Sequence, residues 1–528
     1  MPQLLSLDFT PEAWGNKTQL YTQAAAALRI PKKNISHIQI QKLSLDARGR
    51  VPLYRATVQV FVQPERYTDE PLRGFPLSSL AKGAPRVLIV GMGPAGLFAA
   101  LTLAAAGIRP VIFERGKPVR ERKRDVAHIG RGNLPDPDSN YSFGEGGAGC
   151  FSDGKLYTRS NKRGDIHRVL RTFVHFGAKE EILYQAHPHL GSDRMPAMVE
   201  RMRESLLQAG AEIHFNTRIT GIHADKKGRF AAVTDQNGTE YKADYLILAC
   251  GNSACDLYRY LHARNILLQE KPFAMGVRLE HPQEVIDAMQ YKGAERRYDL
   301  PPAEYAFAEQ CAGTGVFSFC MCPGGVVVPA STVANTLVVN GMSDSGRHSP
   351  WANAGWVAGV NRTLLQQHGY KLSDSPLALL EFQQQTEARF FTPGKGLAAP
   401  AQRLPDFLKR KTSSTLPRSS YPPGVFTADM GQYLPGFIAE ALREAWERIS
   451  RKKRNFLTQE AILLGLESRT SSPVRIVRDA DTFEHPDMPG LYPCGEGAGY
   501  AGGITSSAID GINCAERILQ KASITSKP

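Results

Sequence analysis

The chain has 528 residues, 42% hydrophobic and 22% charged, enough for two or three domains with substantial cores. No apolar run reaches the ~18 residues of a membrane span. The start Met1-Pro-Gln-Leu-Leu-Ser-Leu-Asp8 lacks the basic opening of a signal peptide, so a cytoplasmic protein is expected. The eight cysteines follow no disulfide or zinc spacing and read as reduced, small hydrophobes. The net charge of +13 gathers at 115–124, 403–411 and 448–454, without any recognised RNA-binding signature.

Residues 1–83 read as a small αβ module. A helix is expected over 18–28 and strands over 35–43 and 53–62. In the second strand Tyr54, Ala56, Val58, Val60 and Val62 alternate with Arg55, Thr57 and Gln59, the period of a half-buried strand. Asp46-Ala-Arg-Gly49-Arg50 supplies a hairpin loop, and the Pro/Gly-rich stretch 71–85 a linker. The module carries no chemical motif and reads as a docking or interface element.

The next segment is the most informative. Arg86-Val-Leu-Ile-Val-Gly91-Met-Gly93-Pro94-Ala95-Gly96 is a strand entering a glycine-rich turn, followed by an apolar helix over 97–106 and a second strand, Val111-Ile-Phe-Glu114. This order marks a dinucleotide site. Gly91 permits the tight turn, Gly93 lets the backbone approach a pyrophosphate, and Gly96 lets helix and strand pack closely, so that phosphates meet the positive end of the helix. Glu114 is placed to hold ribose hydroxyls, and Pro94, Ala95 and Arg115 complete the cofactor set at this turn.

Further along, Phe143-Gly-Glu-Gly146-Gly147-Ala-Gly149-Cys150-Phe-Ser152-Asp153-Gly154-Lys155 is a second glycine loop. His187-Pro-His189 lacks further ligands at suitable spacing, so no metal site is expected. Asp244-Tyr-Leu-Ile-Leu-Ala-Cys-Gly251 is a buried strand closing on a glycine. Gly313-Thr-Gly315 lacks the third glycine and the helix of a second dinucleotide fold. Cys320-Met-Cys322 precedes a Pro-Gly-Gly turn. On an extended segment its alternating thiols share a face, which makes them candidates for a redox pair, a proton donor or a nucleophile. Inert buried cysteines are the plainer reading, since a one-residue gap strains a disulfide. In Glu467-Ser-Arg469-Thr-Ser-Ser-Pro473-Val-Arg475 the two arginines are candidate anion clamps. Gly490-Leu-Tyr-Pro-Cys-Gly495-Glu496-Gly-Ala-Gly-Tyr-Ala-Gly502-Gly503-Ile504 is a strand, an acidic turn and a helix start.

The segments around Gly96, Gly251 and Gly503 together resemble the three-part FAD signature of the glutathione-reductase-like flavoproteins. The motifs at 143–156, 317–325, 340–343 and 467–475 narrow the resemblance to a bacterial family described as FAD-dependent dehydrogenases, over about 86–519. Two places depart from its pattern: Cys150 stands where Thr is usual, and 330–335 has no acidic residue. The resemblance implies an α/β fold with a discontinuous Rossmann-like FAD-binding domain (84–255 and 466–528). An inserted α+β substrate domain would occupy 256–465, with a strand over 336–340 and helices over 377–389 and 435–448. Noncovalent FAD would lie across 91–114, 147–152 and 495–504, touching Gly147, Gly149, Ser152, Gly251 and Gly495. Glu496 would reach the ribitol or pyrophosphate, the amides of Gly503 and Ile504 would approach the isoalloxazine edge, and Arg122 would be directed at the phosphates. Lys155 would place charge near the ring, and a last helix is expected over 506–519.

The expected activity is hydride transfer between flavin N5 and an anionic organic substrate. Without a second dinucleotide fold, NAD(P)H as a transient reductant would have to enter the active site itself. The basic clusters are accounted for as solvated faces and as an attractive field for FAD and an anionic substrate. An RNA-modifying flavoenzyme would instead need those clusters to line one groove leading to the flavin. A flavin redox sensor with the N-terminal module as its contact surface is the third reading.

Overall fold

The computed structural model describes residues 2–65, 67, 83–157, 164–296 and 298–522; most of the expected linker lies outside these residues. The N-terminal module is a three-stranded antiparallel sheet in the order Gln3–Phe9, Leu53–Val62, Ile35–Asp46. The alternation in Leu53–Val62 buries Ala56, Val58 and Val60 against Ala24 and Ala25 of the helix Lys17–Leu28. Asn16 caps that helix by accepting from the Thr18 and Gln19 amides. The middle strand of the sequence runs past 43 to Asp46. At Leu43 it also bonds outside the module, donating to Tyr184 O at 2.7 Å and accepting from Ala186 N at 2.8 Å.

The central sheet is parallel and five-stranded, in the order Leu491–Pro493, Tyr245–Leu248, Val87–Val90, Val111–Phe113, Glu212–His214. Val87–Val90 and Tyr245–Leu248 are buried at every position because both faces are covered. Val87, Ile89, Ile112 and Ile247 pack on the helices Pro94–Ala105, Met195–Gln208 and Ile504–Lys521. Leu88, Val90, Leu246 and Leu248 pack on a small antiparallel sheet, Ile219–Ala224, Phe230–Asp235 and Glu240–Lys242, and on the helix Cys255–Ala263.

Two glycines set the closest approaches. A Cβ on Gly96 would stand 2.0 Å from Gly91 O, and one on Gly511 of the last helix 2.0 Å from Ala95 O. The first helix begins at Pro94, three residues before the expected start, because Gly93 is its N-cap and Pro suits the first turn. The last begins at Ile504 rather than 506.

The second large sheet is seven-stranded and almost wholly antiparallel. Its order is Ala308–Cys311, Thr314–Cys322, Trp351–Val360, Phe273–Pro282, Ile462–Glu467, Ala399–Arg403, Val425–Thr427. Gly313 sits in the hairpin between the first two strands, which agrees with its rejection as a dinucleotide turn. The helix Gly436–Lys452 lies on this sheet, with Trp446 against Trp356, and Ala378–Phe390 packs beside Ile462–Glu467. The strand expected over 336–340 forms later, at Val339–Met342. The expected boundary between 465 and 466 falls inside Ile462–Glu467, and the helix Cys255–Ala263 straddles the one between 255 and 256. Among the described residues no helix is long and apolar enough to cross a membrane.

Candidate cofactor and active site

A cavity of about 900 Å³ opens at the carboxyl ends of the parallel strands, within the usual range for ligand pockets. Three contacts order its length. Gly147 abuts Gly93, where an added Cβ would lie 2.9 Å from the Gly93 Cα; Gly149 faces the Ile504 side chain; and Lys155 reaches across to Met321 O. The cavity therefore runs from the first glycine turn, past the second helix N-terminus, to the strand ending at Cys322.

Gly91, Gly93, Pro94, Ala95, Glu114, Arg115, Gly147, Gly149, Ser152, Gly251, Gly495, Glu496, Gly503 and Ile504 all line it. Gly96 lies behind, in the helix–strand contact. Gly93 and Gly503 are the N-caps of Pro94–Ala105 and Ile504–Lys521, and neither helix start has a side-chain cap. Both leave amide donors and a positive helix end at the cavity, and Gly502 and Gly503 have open space where a side chain would go. This cradle fits a pyrophosphate-bearing dinucleotide.

Glu114 is buried, and its carboxylate accepts from Met92 N at 2.8 Å, Gly144 N at 2.9 Å and Gly116 N at 3.0 Å. It thus organises both glycine loops and leaves one of its acceptor positions unused by the protein. Arg115 pairs with Asp138 and Asp256 and covers the Phe143 ring. Ser152 spends its hydroxyl within its own loop, donating to Gly149 O and accepting from Gly154 N. Glu496 is half-buried and accepts from Asn252 Nδ2 at 2.8 Å; desolvation in the cavity wall pushes its carboxyl up to about 7 against the pull of Lys271.

Four expectations need correction. Arg122 does not reach the cavity: its guanidinium is fully buried and donates to the carbonyls of Asn140, Tyr141, Gly144 and Glu145, so it braces the second glycine loop from behind. Arg475 also lies off the cavity, with its guanidinium over the Tyr500 ring. Arg469 does line the cavity, but its charge is matched by Glu387 at 3.1 Å, with further bonds to Ser253 and Thr332. It ties helix Ala378–Phe390 to the cavity wall and is not a free anion clamp. Cys320 and Cys322 line the cavity as free thiols, but a bulge interrupts the strand pairing between Phe319 and Cys322, and Cys320 has φ +41°. The regular alternation that would put both thiols on one face is broken there. Cys322 is buried, which pushes its thiol up to about 12, towards the unreactive protonated form, whereas Cys320 is exposed.

Behind the bulge lies a group that sequence reasoning missed. Arg278 is fully buried and donates to Cys320 O at 2.9 Å and Asn340 Oδ1 at 2.8 Å. Its Nε is 3.0 Å from Glu467 Oε2, an ion pair by distance although neither atom makes a directed hydrogen bond. Glu467 lines the cavity, and burial raises its carboxyl while Arg278 pulls it down. His187, Glu304 and Arg347 also line the cavity. In the sequence His187 reads only as a histidine without metal-ligand partners. Its ring hydrogen-bonds Glu304, while His189 faces Ser345 O, so the two histidines have separate partners. Cys494, Asp510 and Cys514 bring three possible ligand atoms within 4.8 Å, but Asp510 is held by Arg478 and by the Gly495 amide, which fills the place of a cation.

Comparisons with known proteins bear on the same segments. Residues 85–128 match a family described as FAD binding domain, 129–278 one described as flavin containing amine oxidoreductase, 272–470 one described as FAD-dependent protein, C-terminal domain-like, and 1–61 a domain of unknown function. An uncharacterised protein of Clostridium beijerinckii is 38% identical over 515 residues, 94% of each chain. Solved structures with partial likeness include CtdE in complex with FAD (13% identity, 83% of this chain and 91% of that one, TM-score 0.31) and a salicylate hydroxylase substrate complex (11%, 82% and 78%, TM-score 0.34). The FAD-binding match covers the first glycine turn and Glu114, and the near full-length relative extends the likeness to both sheets. The chain belongs to the family of that Clostridium protein and is an FAD-dependent oxidoreductase-type flavoprotein.

Proposed function

We propose that the chain transfers hydride between a noncovalently held FAD and an organic anion admitted to the far end of the same cavity. The observation that carries this reading is the continuity of one space of about 900 Å³ from the two uncapped helix starts to a wall of titratable side chains. Bound FAD supplies two-electron redox chemistry. The chain's own residues do the rest. The amides after Gly93 and Gly503 hold phosphate and ring-edge oxygens, Glu114 and Glu496 meet hydroxyls, and the flanking protein excludes water. Lys155, His187, Glu304 and Arg347 receive the substrate, and the Arg278–Glu467 pair backs the wall beside it.

The antiparallel sheet occupies the part of the chain where a second dinucleotide fold would stand. That supports placing the protein with the one-dinucleotide-domain, glutathione-reductase-like flavoproteins, with NAD(P)H as reductant only through the shared cavity. The basic clusters do not favour an RNA substrate. Arg115 is on the cavity wall, whereas Lys117, Arg120, Arg410, Arg448 and Lys452 are paired with Asp125, Glu200, Glu440, Glu444 and Glu309.

Anaerobic mixing of the yellow protein with NADPH, and separately with organic acids, tests the reading through the visible flavin absorption. Bleaching by NADPH marks a reductase or monooxygenase, and bleaching by an acid marks a dehydrogenase. A flavin bleached by dithionite but by neither of these overturns the proposal.

A further inference from the structure

We infer that Lys155 and Arg347 form a carboxylate-binding subsite at the far end of the cavity, and that it takes a monoanionic organic acid with an apolar body. This rests on the oxidoreductase reading above and names the substrate class.

Charge matching around the wall leads to it. Arg347 is 3.2 Å from Asp153, and His187 is bonded to Glu304. Lys155 Nζ meets only a carbonyl oxygen, that of Met321, and among the described residues no carboxylate lies within ion-pair distance of it. A half-buried ammonium with two donors to spare is costly to leave without an anion. Arg347, held by Asp153, lines the same stretch of wall and adds positive charge beside Lys155. Glu304 feels both cations: burial would raise its carboxyl, but the His187 bond and the charges of His187, Lys155 and Arg347 hold it at about 2. Glu304 is already bonded to His187, so a ligand carboxylate is the missing partner for Lys155.

The subsite is built rather than incidental. Residues 154–156 pair with 188–190 through Leu190 N to Gly154 O at 3.0 Å and Leu156 N to Pro188 O at 2.9 Å, which fixes the Lys155 backbone. Arg347 has a left-handed backbone, φ +55°, uncommon for a residue other than glycine and concentrated at functional sites. Tyr305, Phe317 and Phe319 line the adjoining wall and match an apolar, aromatic body better than a second charge.

The test uses purified FAD-loaded protein titrated with benzoate, acetate and the neutral isostere benzamide, following the flavin absorption band. Benzoate is expected to shift the band saturably, acetate more weakly and benzamide not at all. Lys155→Gln is expected to weaken benzoate about tenfold or more, while Lys155→Arg retains most of the affinity. Equal responses to benzoate and benzamide, no response to either acid, or unchanged affinity in Lys155→Gln carrying full FAD would each overturn the subsite. The comparison of acid with amide in the unaltered protein decides the matter even where a variant fails to fold. A protein that binds no FAD, or whose flavin dithionite does not bleach, defeats the oxidoreductase reading and the subsite together. A reducible flavin that ignores the acids defeats the subsite alone.

Discussion

The two ends of the cavity are made of different material. At the first, the contacts are backbone: glycines at 91, 93, 147 and 503 and two helix starts without side-chain caps. At the second they are side chains delivered from separate segments, Lys155, His187, Glu304 and Arg347. Backbone recognises what is common to every dinucleotide, a pyrophosphate, and tolerates little change. Side chains can be exchanged singly, so that end can serve a different substrate without rebuilding the fold.

Repair by a second substitution separates the two kinds of construction. Glu387→Met strips the partner from buried Arg469 and is expected to cost about 3–5 kcal/mol in urea unfolding. Adding Arg469→Met should recover most of it, since an apolar pair of similar volume replaces a buried ion pair at little cost. Failure of the second change to help would mean that Arg469 itself is needed at the wall. The sheet behind the side-chain end has its own acid limb. His281 is fully buried, its Nε2 is 2.9 Å from Phe456 O, and burial holds its imidazole at about 4 rather than 6.5. It stays neutral in the fold while the unfolded chain takes a proton, so its contribution is intact above about pH 6.5 and falls away towards pH 4. The loss is about 3 kcal/mol, read as the difference between wild type and His281→Phe in unfolding across that window. A parallel pair of profiles would refute the assignment.

At the backbone end, Gly96→Ala puts a methyl 2.0 Å from Gly91 O. It should cost about 1–3 kcal/mol and most of the bound flavin, with no side-chain substitution able to restore the absorption. Retention of full flavin would show the turn to be less exacting than its geometry implies. The smallest effect is expected at the bulge, where Cys320→Gly relieves a left-handed backbone. A gain of up to about 1 kcal/mol in unfolding stability is anticipated; a loss would mean that the thiol's contacts outweigh the strain.

That contrast also explains what could be read in the sequence. The cofactor end is written as contiguous motifs, because a turn, a cap and a helix start are local events. Val87–Val90, Pro94–Ala105 and Tyr245–Leu248 lie close to where pattern alone put them. Arg122 was misplaced although the signal was present. With Val119, Val126 and Ile129 it occupies the apolar face of its helix, so its guanidinium turns inward to loop carbonyls. The bulge at Cys320 leaves no trace in composition, since it depends on pairing with Trp351–Val360. Glu304 and Arg347 sit in irregular segments whose meeting with Lys155 and His187 depends on the whole topology. Gly511 shows its importance only once Ala95 is seen against it.

The strand order of the parallel sheet has a consequence for biosynthesis. Val87–Val90 is flanked on one side by Val111–Phe113 and on the other by Tyr245–Leu248, whose outer neighbour is Leu491–Pro493. At translation rates of ~5–20 residues per second, roughly 20–80 s separate the appearance of the first glycine turn from that of the strand and helix that complete the cradle. The N-terminal module, whose three strands and helix are local, can be folded long before. Flavin capture therefore belongs to the end of synthesis, and a nascent chain halted before Leu491 should emerge colourless.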